Sequence, residues 1–132
     1  MHSKTKGKIA ELMVSARLMA LGWTVLNPLC ETSRYDMVAE KNGKFIRVQV
    51  KYVTPSKGTL HVNCKSSNNW SILTYTSKEI DVLAAFDSID HKIYFIPASK
   101  LNTSSLKLRI KPTKNRQEKK INFARDFETL TI

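Results

Sequence analysis

Asp36, Gln49 and Lys51, with Glu11 upstream, are the residues of this 132-residue chain whose types and spacing could do chemistry. Hydrolysis of a phosphodiester assisted by a divalent ion needs oxygen ligands for a hard cation, a positioned water or hydroxide, and positive charge near the developing phosphorane oxygens. Asp36 can ligate, Gln49 can offer a neutral amide oxygen, and the backbone carbonyl of Val50 can complete the shell. Lys51 can orient the nucleophile or steady transition-state charge, and Glu11 can restore the negative charge that Gln49 lacks.

The element that must position them is a hairpin. Residues 33–40 and 44–53 read as strands around Asn42-Gly43, a pair that favours the φ > 0 geometry of a two-residue turn. With such a turn, positions whose numbers sum to 85 face each other, so Asp36 opposes Gln49. Lys51 lies two residues on and shares that face, because side chains alternate along a strand. The opposite face carries Tyr35, Met37, Ala39, Ile46, Val48, Val50 and Tyr52, the apolar set a core needs. Arg34 opposes Lys51 in the same register, an unfavourable like-charge pair unless something anionic lies there. Local conflicts of this kind mark functional sites.

Glu11 rides on a helix expected over residues 6–21, where Ile9, Leu12, Met13, Ala16, Met19 and Ala20 recur at helical spacing and Gly22 stands at the stop. Further strands are expected at 23–26, 59–64, 70–75, 82–86 and 92–96, with helical turns at 76–80 and 98–101. Leu106, Leu108 and Ile110 alternate with Lys107, Arg109 and Lys111 as in a half-exposed strand. Residues 1–132 read as a single domain, with an exposed excursion at about 54–70 and a basic C-terminal segment at about 106–132.

The bulk properties narrow the partner. A net charge of +11 and a pI near 9.8 attract polyanions, and without an amphipathic basic helix or a lipidation signal the expected one is nucleic acid. Cys30 and Cys64 are far apart, and His2, His61 and His91 are scattered, so neither a disulfide framework nor a zinc site is indicated. A reducing cytoplasm fits this usage, and no apolar stretch suggests a leader or a membrane span. No Ser-His-Asp or Cys-His arrangement for acyl transfer emerges.

The order helix-Glu11, Tyr35-Asp36 at a strand, then Gln49-Val50-Lys51 on the next strand resembles the PD-(D/E)XK nuclease superfamily. The family's proline-aspartate is replaced by Tyr35-Asp36, and Gln49 stands where an acid is usual. Similarity to the cyanobacterial intron-encoded homing endonucleases of that superfamily extends further. It runs through Tyr75-Thr76 to Ile80-Asp81-Val82 and Phe95-Ile96-Pro97, and into Lys114-Asn115 and Asn122-Phe123-Ala124-Arg125-Asp126-Phe127. The resemblance implies an α/β fold with a mixed central sheet flanked by α-helices. It also implies a Mg²⁺-dependent enzyme, with Mn²⁺ as a substitute, that cuts both strands of a long pseudo-palindromic DNA target. A homo-oligomer follows, a dimer at minimum and a tetramer by resemblance, acting on chromosomal DNA in a bacterial cytoplasm. Symmetry agrees, since two sites related by a two-fold axis are the simplest route to a double-strand break.

Arg34, Lys57, Asn63, Lys65, Asn68, Asn69, Lys111, Lys114 and Arg116 are the candidate DNA contacts, because lysine, arginine and asparagine donate to phosphates and base edges. Two other readings fit the same residues. A Holliday junction resolvase would use the same catalytic order on a branched substrate, and a non-catalytic module would keep the charge and dispense with cutting. Asp36 and Lys51 could also form an ordinary cross-strand ion pair, which contributes little at a surface.

Overall fold

The computed structural model describes residues 1–67, 72–74, 77–101, 105–112 and 121–131, with 66, 67 and 72–74 as strand backbone. Helix α1 (Ser3–Ala20) opens with the His2 imidazole accepting from the Lys4 amide at 3.1 Å. It closes at Gly22, whose φ of +91° lets Trp23 N–H reach the Leu18 carbonyl at 2.9 Å and Gly22 N–H the Met19 carbonyl at 3.0 Å. That is the paired closure a left-handed glycine permits.

The buried face of α1 differs from the one the spacing suggests. Ala10, Val14 and Leu18 are fully buried, while Leu12 and Met19 are 62% and 63% exposed and Met13, Ala16 and Ala20 also face outward. Small and branched residues at i, i+4 and i+8 let the helix lie close on the sheet, and the longer Leu and Met chains fall on the far side.

Strands β1 (Thr24–Leu26), β2 (Met37–Lys41) and β3 (Lys44–Val53) form an antiparallel meander. Asn42 and Gly43 take φ of +53° and +81°, and the Glu40 carboxylate accepts from Gly43 N–H at 2.8 Å. The turn therefore has two residues, and the pairing runs from Lys41↔Lys44 to Met37↔Val48, the register anticipated above.

Strand β3 then pairs in parallel with β7 (Val82–Asp87), which pairs with β8 (Ile93–Pro97). The resulting mixed sheet has the order β1-β2-β3-β7-β8. On one face α1 packs over Met37, Ala39, Ile46, Val48, Val50, Val82, Ala84, Phe86, Ile93 and Phe95. The other face buries Leu83, Ala85, Tyr94 and Ile96 under a ribbon of β4 (Thr59–Asn63) and β9 (Ser105–Arg109), with Ala124 and Phe127 of a 3₁₀ turn. A second ribbon pairs β5 (Lys65–Ser67) with β6 (Ile72–Thr74).

Three expectations need correction. Strand β2 begins at Met37, not at 33, so Arg34 and Lys51 are not cross-strand neighbours. Tyr35 packs with the ribbon-side core and not with Met37 and Val48 on the α1 side. The excursion after Val53 is only partly exposed, because Leu60, Val62 and Cys64 are fully buried as the second core layer. Alternating Leu60 and Val62 needed a covered face, and the sheet supplied one. Trp70, Tyr75 and Thr76 lie outside the described residues.

The entry to β7 is pinned by Arg47. Its guanidinium donates to Asp81 Oδ2 and Oδ1 at 3.1 Å each and to the Lys78 and Ser77 carbonyls at 2.7 and 3.0 Å. These bonds hold the Asp81 carboxyl below its ordinary range, so its contribution to stability is present above about pH 4 and disappears as the pH falls through its lowered pKa. Both side chains remain about one-third exposed, which screens the pair. Asp81→Ala is expected to lower stability by about 1–2 kcal/mol at neutral pH in urea melts, a gap that closes in strong acid. A gap independent of pH would remove the ion pair as its cause.

Candidate active site

The site forms where β2 stops and β3 continues. Beyond Val48 one side of β3 pairs with β7, and no β2 residue covers the other. An uncovered strand edge leaves backbone donors that need partners. Asp36 supplies one: its Oδ2 accepts from Val50 N–H at 2.7 Å, while its own amide donates to the Val48 carbonyl at 2.9 Å. The carboxylate thus turns to the backbone of β3 in place of a continued ladder, and does not simply lie across from the Gln49 side chain.

Glu11 approaches from the α1 side, and Lys8 Nζ lies 3.9 Å from it, one helical turn back. Gln49 and Lys51 alternate with the buried Val48 and Val50 and so face away from α1, toward the ribbons. There Lys51 Nζ donates to the Lys65 carbonyl at 3.2 Å, at the start of β5. Helix, sheet edge and ribbon meet at one notch.

Electrostatics at the notch is dominated by burial. It raises the Glu11 carboxyl above its ordinary range, helped by Asp36 and Glu31 and opposed by Lys8. Burial also raises Asp36, against the lowering effects of the Val50 amide, Lys51 and Lys8. Lys51 is pushed down by burial and held up by Asp36 and Cys64. Two carboxylates kept reluctant to ionise form a place where a cation is favoured, and hard oxygen donors suit a divalent ion. Among the described residues no group of three or more His, Cys, Asp or Glu converges, so any shell here draws on neutral oxygens as well. Gln49 and the Val50 carbonyl have the right chemistry for that.

Lys8 and Glu31 were not singled out by sequence. Lys8 carried a signal, its i,i+3 spacing to Glu11. Glu31 sits in a turn before β2, where no periodicity could have indicated it.

The candidate DNA contacts are spread more widely. Lys57 (φ +53°) and Lys111 are exposed and meet at Gly58. A Cβ on Gly58 would lie 3.0 Å from the Lys111 Cβ, and the Gly58 carbonyl accepts from the Ile110 and Lys111 amides at 2.8 and 3.2 Å. Arg34 is half-buried, two residues before Asp36. Asn63 is exposed but turns its Oδ1 to the Lys65 amide at 2.9 Å. Asn68, Asn69, Lys114 and Arg116 lie outside the described residues.

Residues 1–130 match the family model described as PD-(D/E)XK endonuclease. The chain belongs to the PD-(D/E)XK endonuclease family. Among solved structures it is similar to a bacterial homing endonuclease, I-Ssp6803I, at 27% identity and a TM-score of 0.73, covering 90% of this chain and 84% of that one. It is also 40% identical over 48 residues to Protein 5.3 of Escherichia phage T7. That match covers 36% of this chain, and the chain spans about two-fifths (41%) of the phage protein. Among the described residues no helix is long and apolar enough to cross a membrane.

Proposed function

We propose that this PD-(D/E)XK endonuclease is a sequence-specific homing enzyme that makes metal-dependent double-strand breaks in a long pseudo-palindromic DNA target. The observation that carries the reading is Asp36 held by the Val50 amide at the β3 edge that β2 leaves uncovered, with Glu11 and Lys51 close enough to interact electrostatically with it. Asp36 would bind the metal most directly, Glu11 would bind the metal or its water, and Gln49 and the Val50 carbonyl would fill neutral positions. A bound Mg²⁺, or Mn²⁺ in its place, would polarise the phosphate and favour hydroxide at neutral pH. Lys51 then holds positive charge beside the phosphate or orients the attacking water. The water oxygen bonds to phosphorus as one bridging P–O bond breaks. Asp36 is held by the Val50 amide, so its position does not depend on the metal.

Lys57, Lys111 and Arg34 serve phosphates, joined by Lys65, Asn68, Asn69, Lys114 and Arg116 from the excursion and the basic segment. The chain acts as one nuclease domain per subunit in a homo-oligomer, a dimer at minimum and a tetramer by resemblance, on chromosomal DNA in a bacterial cytoplasm. The exposed Leu12 and Met19 on α1 support association, since clustered apolar residues on a surface mark contacts.

The test is incubation of the protein with genomic DNA and Mg²⁺, mapping of the broken ends, and sedimentation of the DNA complex to count subunits. Cutting at one long site supports the reading. Cleavage of four-way junctions alone would replace it with a resolvase. Gln49 favours one other reading, a non-catalytic binding module. Salt-sensitive binding without cutting, in Mg²⁺ or Mn²⁺ with the natural target present, would establish that module instead.

A further inference from the structure

Cys64 is the single residue between β4 and β5, where the chain passes from one ribbon to the other. β4 is anchored, with Leu60 and Val62 fully buried and its ladder closed against β9, and Cys64 after it is fully buried too. At this joint the Asn63 side chain accepts from the Lys65 amide at 2.9 Å, a turn that fixes the peptide planes on either side of Cys64. The carbonyl of that same Lys65 accepts from Lys51 Nζ at 3.2 Å. Cys64 lies close enough for its thiol and the Lys51 ammonium to influence each other.

A lysine on a four-carbon stem has many rotamers, and an ammonium that must meet a phosphate gains from being held in one of them. We propose that Asn63 is a positioning residue for Lys51: its side-chain oxygen sets the β4–β5 joint so that the Lys65 carbonyl receives the Lys51 ammonium on the side facing Asp36. The DNA contact first assigned to Asn63 needs its amide as a donor, whereas this role needs only its oxygen as an acceptor. The proposal rests on Lys51 being catalytic, and it extends the site onto the ribbon joint, which is otherwise placed only against DNA.

Asn63→Ala removes the acceptor, and Asn63→Asp retains it while removing the donor. Steady-state cleavage of the cognate duplex with Mg²⁺ is expected to show kcat reduced about tenfold in Asn63→Ala with KM unchanged, and kcat restored to within about twofold in Asn63→Asp, in keeping with the sensitivity of catalysis to small misplacements. A wild-type kcat in Asn63→Ala, an equal loss of kcat in both variants, or a rise in KM with kcat intact in Asn63→Ala would overturn the proposal. NMR of ¹³C-labelled lysine in the metal-free protein, with the Lys51 Cε signal assigned by its loss in Lys51→Met, reads the positioning without cleavage. Lys51 Cε is expected to lose order in Asn63→Ala and keep it in Asn63→Asp; unchanged order in Asn63→Ala overturns the proposal. If Lys51→Met cuts as well as wild type, it is the catalytic reading of Lys51 that fails, while the NMR comparison still decides whether Asn63 holds it.

Discussion

Asp36→Asn is expected to reduce Mg²⁺-dependent cleavage on the order of 10³-fold while leaving a folded protein that melts no lower than wild type. Asparagine keeps a side-chain oxygen for the Val50 amide, now 2.7 Å from the Asp36 carboxylate, so the β3 edge stays satisfied. What it removes is charge. Burial raises the Asp36 pKa in the folded protein, so its contribution to stability is greatest below about pH 4 and is lost as the pH rises through the raised value. At neutral pH the ionised group opposes folding, and the neutral amide does not. The same reasoning predicts that Mg²⁺ raises the wild-type Tm and leaves that of Asp36→Asn unmoved, since a ligand stabilises only the state that binds it. Single-turnover cleavage and melts with and without Mg²⁺ check both parts. Full cutting by the variant would remove Asp36 from the reaction.

Lys51→Met should be nearly as inactive, with a loss of about 10²–10³-fold in kcat, yet respond to Mg²⁺ like wild type. Methionine preserves the length and much of the burial of the lysine stem and deletes only the ammonium that reaches the Lys65 carbonyl. Removing a half-buried positive charge also lets Asp36 rise further, because Lys51 is one of the groups that lower it. Duplex binding at moderate salt should weaken only slightly, since one cation among many is lost. The informative contrast is therefore between the two variants: Asp36→Asn loses the metal response and Lys51→Met keeps it. Turnover at the wild-type rate in Lys51→Met would exclude the lysine from the chemistry.

Much of the architecture was legible because local signals agreed with each other. Asn42-Gly43 specified a two-residue turn, and alternation in β3 specified its faces, so the pairing Met37↔Val48 followed from counting. Gly22 announced the end of α1 for an equally local reason, its φ of +91°. What could not be read were choices settled between elements. Either stripe of α1 was apolar enough to be buried, and the fit of Ala10, Val14 and Leu18 to the sheet decided the matter. The late start of β2 likewise depends on a side chain replacing a backbone partner, which no periodicity records. At the site, residue types pointed to Glu11, Asp36, Gln49 and Lys51, but the approach of Lys65 to Lys51 joins residues of separate sheets and needed the tertiary structure.

The place of β3 in the sheet bears on how the protein would fail. It is the middle strand of five, bonded to β2 on one edge and β7 on the other, and its amides belong to the part of a fold that opens last. Gln49 and Lys51 are on it, and Asp36 is tied to it. Glu11 instead travels with α1, which is laid on one face through Ala10, Val14 and Leu18 and can lift away without breaking the sheet. Native-state hydrogen exchange should find α1 amides opening at lower free energy than those of β3; equal values would mean that helix and strand open as one. The two halves of the candidate site are thus expected to have different lifetimes under mild denaturant, and cutting should be lost while the central sheet is still intact.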